Sequence, residues 1–365
     1  MSPPAPDEEA LSSQQAGRPL EGTQTAALGS QWCNLPKERV VQLIIAQIPR
    51  FRSRPYLADA RALVDALANG LATHLSGDFC WSLNFSASFV AALCYEGLLP
   101  ICCELGGGTG LYVLLPKLHA ERCVLSFDAL HIPKKVRKRA RRHVLTCGQA
   151  FDAVLDGCLR QHGESWLYPP LRRALCELAG PEHAVALASA RDADAAVAHA
   201  PRFALPSAPL RPSASRRGGT ARATPGADGG GAGVVRMCSF ELWREGRLVA
   251  GEIGCAVGCS YTSFSGFHAE PSAGSVQQAL TARLLARAGF CHWDLGQEHA
   301  YKLAMGAVMV PRADFLGRLH AARCSGSRLE QVLRECGHRV THEVLDGAAA
   351  AGADAPCTVE VLEIP

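Results

Sequence analysis

From Asn34 onward, apolar positions recur every three or four residues. "RVVQLIIAQIPRF" and "YLADARALVDALANGLATHL" carry this helical period. "SASFVAALCYEGLLPICCEL" continues it as a helix stopped at Gly97, followed by an extended segment over 98–103. "LYVLL" and "RCVLSF" are short apolar runs that read as strands, separated by Pro116. Helical patterning returns in "IPKKVRKRARRH", where Pro133 suits a first turn, in "GQAFDAVLDGCLRQ", and in "PPLRRALCELAG", stopped by Gly180.

The pattern then breaks off. "RPSASRRGGTARATPGADGGGAG" offers no apolar face to bury and predicts a flexible insertion at about 181–234. Beyond it, "MCSFELWREGRLVAGEIGCAVGCSYTSFSGF" alternates apolar and polar positions, predicting three antiparallel strands with a Glu245-Gly246 turn. A helix over "SVQQALTARLLARAG", a strand at Trp293, a short helix, the extended "AVMVP" and a helix over "RADFLGRL" complete the series. This order predicts an α+β protein. A disordered leader (1–30) precedes a small N-terminal α/β domain (31–126). A C-terminal GNAT-like (N-acyltransferase) domain (127–325) carries the disordered insertion, and a C-terminal extension covers 326–365. No internal repeat is visible.

Composition narrows the classes. With 365 residues, 48% of them hydrophobic, the chain can fill two modest cores. Its longest apolar runs fall short of the roughly 20 residues of a membrane span, so no membrane partner is expected. The N-terminus "MSPPAPDEEALSSQQ" is acidic and lacks an apolar segment, which predicts a cytoplasmic protein without a targeting leader. Sixteen cysteines show no Cys-x-x-Cys and no zinc-ligand spacing. Reduced, buried thiols are expected, Cys102-Cys103 and Cys255/Cys259 included, with no metal and no cofactor.

Net charge is only +3, so any polyanion must be met locally. The local candidate is "KKVRKRARRH", in a stretch with no acidic residue between Asp128 and Asp152. On a helix Lys134, Lys138 and Arg141 share one face and Lys135, Arg139 and Arg142 the next, and Arg137 belongs to the same run. Such a surface binds phosphates without reading sequence; the plainer alternatives are a solvated helix face or a localisation-type basic run. Trp166 in "ESWLYPP" either stacks on a base or closes a helix junction. A pyrophosphate loop for an acyl-coenzyme A is missing from "HAEPSAGSVQQAL", although backbone N–H groups at that helix start could take an anion. In "HWDLGQEHAYKLAMGA", Asp294 and Gln297 close the Trp293 strand. They form either a proton-relay pair or a helix cap near Gly296, and a mere cap predicts that Asp294→Asn is nearly silent.

Several segments, in order, resemble the leucyl/phenylalanyl-tRNA–protein transferases. They are "SASFVAALCYEGLLP", "LSFDALHIPKKVRKRARRHVLTCGQAFDAVLDGCL", "SWLYPPLRRALCELAG", "SFELWREGRLVAGEIG" and "DLGQEHAYKLAMGAVMVPRADFLGRL", together spanning Ser86 to Leu319 apart from the insertion. The resemblance implies an aminoacyltransferase. Such an enzyme moves a leucine- or phenylalanine-like residue from charged tRNA to the N-terminal α-amine of an acceptor protein and so marks it for N-degron degradation. The implied partners are aminoacyl-tRNA and an acceptor N-terminus. The resemblance also implies roles: Lys134, Lys135, Arg137, Lys138, Arg139, Arg141 and Arg142 on tRNA phosphates, and Trp166 on the terminal adenosine. Phe264, Ser265, Phe267 and Trp293 would line the aminoacyl pocket, with Asp294 and Gln297 at the reacting centre.

The chain departs from the family pattern at informative places. The family's Asp-x-Gln becomes Asp294-Leu295-Gly296, with Gln297 one residue late. Ile101 replaces an aromatic, and "SFSGFHA" stands where members read Gly-Glu-Ser-Met-Phe-Ser-Arg, so the transferred amino acid is left open. Two other classes compete: an N-acyltransferase of the same fold with another acyl donor, and a non-catalytic tRNA- or degron-binding module.

Overall fold

The computed structural model describes residues 32, 34–74, 79–106, 108–163, 166–180 and 234–346. The expected leader (1–30), nearly all of the expected insertion and the chain after 346 lie outside the described residues. The described part opens with α1 (Lys37–Gln47), α2 (Pro49–Arg52), α3 (Ala60–Ala68), α4 (Leu71–His74) and α5 (Ala87–Tyr95). Asp59 caps α3 by accepting from Ala62 N–H, and Ser86 caps α5 from Phe89 N–H. At the end of α5, Gly97 has φ +83°, and a Cβ there would lie 2.9 Å from a methyl of Leu319. Only glycine meets both demands. A hairpin, β1 (Cys102–Glu104) and β2 (Tyr112–Leu114), follows and shares a small core with Val40, Ile44, Phe51 and Trp81.

The next strand, β3 (Glu121–Leu125), pairs with later parts of the chain. Then come α6 (Lys134–Ala140), β4 (Val144–Cys147), α7 (Phe151–His162), α8 (Pro169–Ala179), β5 (Val235–Arg244), β6 (Arg247–Val257), β7 (Ser260–His268) and α9 (Ala273–Arg287). The series ends with β8 (His292–Asp294), α10 (Ala300–Ala304), β9 (Val308–Pro311), α11 (Arg312–Ala322), α12 (Leu329–Glu335) and α13 (Glu343–Asp346). Seven strands form one mixed sheet in the order β4-β5-β6-β7-β8-β3-β9. Its β5-β6-β7 meander is antiparallel, and Glu245 (φ 50°) and Gly246 (φ 75°) make the tight turn expected there. Strand β4 was not foreseen: its four residues follow the basic run directly and are too few to show a period.

Two cores cover the two sheet faces. Helices α5, α7, α8 and α11 pack on one; α9 and α12 pack on the other, together with Ile132 and Ala140. Residues 326–346 help to complete the second: Leu329, Val332, Leu333, Val340 and Leu345 are all buried there.

The parallel pairing within the large sheet positions the site. β7 and β8 are joined only over Ser260–Thr262 and His292–Asp294. Beyond Asp294 the chain stays with β3, through Leu295 N–H to Cys123 O (2.8 Å) and Cys123 N–H to Gly296 O (2.8 Å). The rest of β7 therefore parts from it, opening the sheet at the carboxyl end of β8, the kind of place where α/β sheets bind ligands.

That pairing also corrects the cysteine expectation. Cys259 and Cys291, just before β7 and β8, form a disulfide with Cα atoms 5.6 Å apart. Parallel neighbours joined by a long crossover are invisible to local spacing, so a sequence separation of 32 concealed the pair. Cys102 and Cys255 are free and buried. Among the described residues no helix is long and apolar enough to cross a membrane.

Candidate active site

Asp294 is completely buried at the end of β8. Its Oδ1 accepts from Arg122 Nε (3.1 Å) and from Gly296 N–H (2.9 Å), while Arg122 Nη2 donates a short bond to Oδ2. Arg122 is equally buried. Its Nη1 donates to Gly97 O (3.2 Å), and its guanidinium lies 4.5 Å from the ring centroid of Phe315. One cation thus ties α5, β3, β8 and α11 together, and a buried charge persists only with such partners. Sequence reasoning missed Arg122, though an arginine flanked by apolar strand residues in "RCVLSF" is the kind of signal that could have found it.

The capping interpretation of "DLGQ" is corrected in part. Asp294 does cap a turn, at Gly296 (φ +74°), but the helix α10 starts only at Ala300 with His299 as its N-cap, and Asp294 carries a buried ion pair besides. Asp294→Asn is therefore not expected to be silent. Gln297 is exposed, and the structure brings no hydrogen bond between its side chain and Asp294. It is instead the Gln297 carbonyl that is engaged. Lys302, from α10 and only 7% exposed, donates from Nζ to Gln297 O (2.7 Å) and to Leu295 O (2.7 Å). Burial lowers the Lys302 ammonium to about 8, against the opposing pull of Cys123, Asp294 and Glu252.

A second buried group lies alongside. The Glu252 carboxyl accepts from Ser263 Oγ (2.6 Å) and Gln277 Nε2 (3.4 Å), and Gln277 also donates to Thr281 Oγ1 (3.0 Å). Trp293 Nε1 donates to Ser263 Oγ (2.7 Å), which connects this network to the residue before Asp294. Burial raises Glu252 to about 7, although bonds from Ser263, Tyr261 and Gln277 favour its charged form. The Tyr261 hydroxyl is nevertheless buried without a partner of good hydrogen-bond geometry. His292, bonded to Ser260 Oγ (2.9 Å), is lowered by burial to about 4, with the Asp294 charge acting the other way.

The expected pocket residues fall on both sides of the sheet. Phe264 and Phe267 join the core under α7, where Gly157 leaves room for the Phe267 ring, and Ser265 interacts with Cys158 there. Trp293 packs in the opposite core with Tyr261. Trp166 is half-buried against the first core, its carbonyl accepting from Cys102 N–H (3.1 Å). Beside it a cavity of about 310 Å³ is lined by Leu159, Leu167, Pro169, Arg172, Arg173 and Cys176. No residue of the Asp294 group lines that cavity.

The basic run divides as well. Lys134, Lys135, Lys138, Arg139, Arg141 and Arg142 are exposed. Arg137 turns inward and donates to Leu345 O (2.7 Å), and Arg139 is hydrogen-bonded to Ser272 Oγ ahead of α9.

Comparison with known proteins bears on this arrangement. The family model for leucyl/phenylalanyl-tRNA protein transferase matches residues 233–320, which contain β5 through α11 and hence Asp294 and Lys302. A protein of that name from Nitratidesulfovibrio vulgaris is 31% identical over 214 residues, covering 57% of this chain and 69% of the relative. This chain belongs to that family. A transferase from Rubrobacter xylanophilus aligns over 232 residues at 27% identity, covering 63% of this chain and 91% of its own length. One from Thiobacillus denitrificans is 44% identical over a shorter 81 residues, 22% of this chain and 36% of the relative. In this chain Gly296 stands two residues after Asp294, and Lys302 is buried beside the same strand end.

Proposed function

We propose that the chain is an aminoacyltransferase that moves an amino acid from charged tRNA to the N-terminal α-amine of an acceptor protein, marking it for degradation. The observation that carries this reading is the strand end of β8, where a buried, charge-paired Asp294 stands at the only parting of parallel strands in the large sheet, in a chain of the transferase family. The reaction requires the acceptor amine to lose a proton as it attacks the ester carbonyl, while the tRNA 3′ oxygen gains one. With no accessible surface, Asp294 positions the strand end through Gly296 N–H and Arg122.

The same reading gives the large sheet and the helices that flank it a GNAT-like fold beside the small N-terminal part, and a cytoplasmic site of action. The exposed Lys134, Lys135, Lys138, Arg141 and Arg142 meet tRNA phosphates, with Arg139 at their edge and Arg137 holding the helix in place. Trp166 meets the terminal adenosine beside its cavity. Phe264, Ser265 and Phe267 shape the site from β7, and Trp293 does so from beneath through Ser263. Gln297 contributes its main chain. The deciding experiment offers a total pool of tRNA charged with labelled amino acids, together with peptides of different N-terminal residues. Label in a new peptide bond at the acceptor's α-amine is expected. Tight binding of charged tRNA without transfer would favour the binding-module alternative.

A further inference from the structure

We infer that Lys302 is the proton acceptor of the transfer reaction; this rests on the transferase reading above. A neutral amine would be fully partnered in this geometry. Nζ gives hydrogen bonds to two carbonyl oxygens, Leu295 O and Gln297 O, each at 2.7 Å. A neutral amine has two N–H donors, so both are satisfied and one lone pair is left over. An ammonium has three, and among the described residues the third finds only the face of Tyr301, with Nζ 5.7 Å from the ring centroid. Both carbonyls belong to the segment that leaves β8 past Asp294, so the amine is fixed at the strand end itself.

The surroundings poise it. The groups that face Lys302 are Cys123 and Arg122 on β3, Asp294 on β8 and Glu252 on β6. Arg122 is neutralised by Asp294, and the net result of burial against these charges is an amine near 8. An α-ammonium has an ordinary pKa of about 7.7–8.0, so the acceptor amine and Lys302 become free bases over the same pH range, and the free amine is the form that attacks.

The steps balance. The acceptor nitrogen attacks the ester carbonyl carbon as its excess proton passes to the Lys302 lone pair. The C–N bond forms, the carbonyl π pair moves onto oxygen, and the tetrahedral centre then expels the tRNA 3′ oxygen with the electrons of the C–O bond. The Lys302 ammonium delivers the proton to that oxygen, giving the free 3′-hydroxyl and a neutral lysine.

The test pairs single-turnover transfer with direct titration. Lys302→Arg keeps donors for Leu295 O and Gln297 O but cannot deprotonate, whereas Lys302→Met removes both functions; melting temperatures check that each folds. Both variants are expected to lose roughly 10²-fold or more in transfer rate. Their pH–rate profiles should also lose the rise in rate through about pH 8 expected of the wild type with an acceptor peptide whose amine titrates well below that pH. In wild-type protein labelled with ¹⁵N-lysine, one Nζ signal, missing from Lys302→Met, should titrate with the same midpoint. A Lys302→Arg enzyme with wild-type rate and profile, or a Lys302 signal that stays protonated to pH 10, would overturn the inference and leave the transferase reading standing. A wild-type protein inert toward the whole charged-tRNA pool would overturn both.

Discussion

The Arg122–Asp294 pair shows how one buried contact can serve both fold and site. Because neither group has solvent access, removing one partner leaves an uncompensated charge, which costs about 3–5 kcal/mol, whereas replacing both with apolar side chains costs far less. Urea unfolding should therefore find Asp294→Asn and Arg122→Met each strongly destabilised, and the double variant Arg122→Met/Asp294→Leu largely recovered in stability but inactive in transfer. Additive losses in the double variant would show that the two side chains are energetically independent. Glu252 makes a pH prediction at the same scale. Its pKa is about 7 in the fold against an ordinary 4.5, so between those values the unfolded chain releases its proton first, and stability falls as pH rises through the window. His292 acts oppositely: with a folded value of about 4 against 6.5, the unfolded chain takes up the proton first on acidification, and stability rises with pH from about 4 to 6.5. The two nearly cancel in the wild type. Glu252→Gln removes one of them, so its urea midpoint should climb with pH across that range while the wild-type curve stays flatter. Parallel curves would mean that Glu252 ionises in the fold as it does in water.

At the scale of elements, α6 shows how far a local pattern reaches. Its five cations and the two that follow it, Arg141 and Arg142, were legible as a cationic cluster, yet only contacts distant in sequence separate solvent-facing cations from structural ones. Arg137 is held by Leu345, 208 residues away. Combined replacement of Lys134, Lys138, Arg141 and Arg142 by Ala should flatten the salt dependence of tRNA binding by about 3–4 units of log–log slope, because each lost phosphate contact removes about 0.7–0.9. Arg137→Ala should instead lower the melting temperature and change the slope little. Equal slope changes for all five positions would mean that Arg137 swings out to the nucleic acid. Elements with strong periods, such as α7, α8, α9 and the β5-β6-β7 meander, were readable because their amphipathic faces pack as patterned. The late start of α10 was not readable, since the turn at Gly296 depends on a carboxylate that is itself fixed by Arg122 from β3. Of the site, Asp294 could be found from its strand end, whereas Lys302 could not: a lysine in a short helix looks solvent-facing until the fold buries it.

At the scale of the whole molecule, the sheet gathers strands from both ends of the described chain, and its boundaries follow pairing and not sequence order. β3 lies between β8 and β9, and β4 borders β5 at the opposite edge. That β4 edge is closed by the C-terminal segment, since Leu145 and Val340 exchange backbone hydrogen bonds of 2.8 Å in each direction. The segment from 326 to 346 also buries Leu329, Val332, Leu333, Val340 and Leu345 at 4% exposure or less and supplies the carbonyl that holds Arg137. Full burial of each such side chain is worth about 1.5–3 kcal/mol, so five of them approach the entire 5–15 kcal/mol stability of an ordinary protein. Ending the chain after Ser325 should therefore leave no cooperative thermal transition, even though every residue of the proposed reacting centre is retained. A single Leu333→Ala substitution tests the same contacts without removing the segment. It should cost about 2–5 kcal/mol through the cavity it opens, and should lower transfer at 25 °C only in proportion to the fraction unfolded. A truncated protein that melts cooperatively at the wild-type temperature would show that the second core closes without the C-terminal segment, and that this segment packs onto a fold already complete.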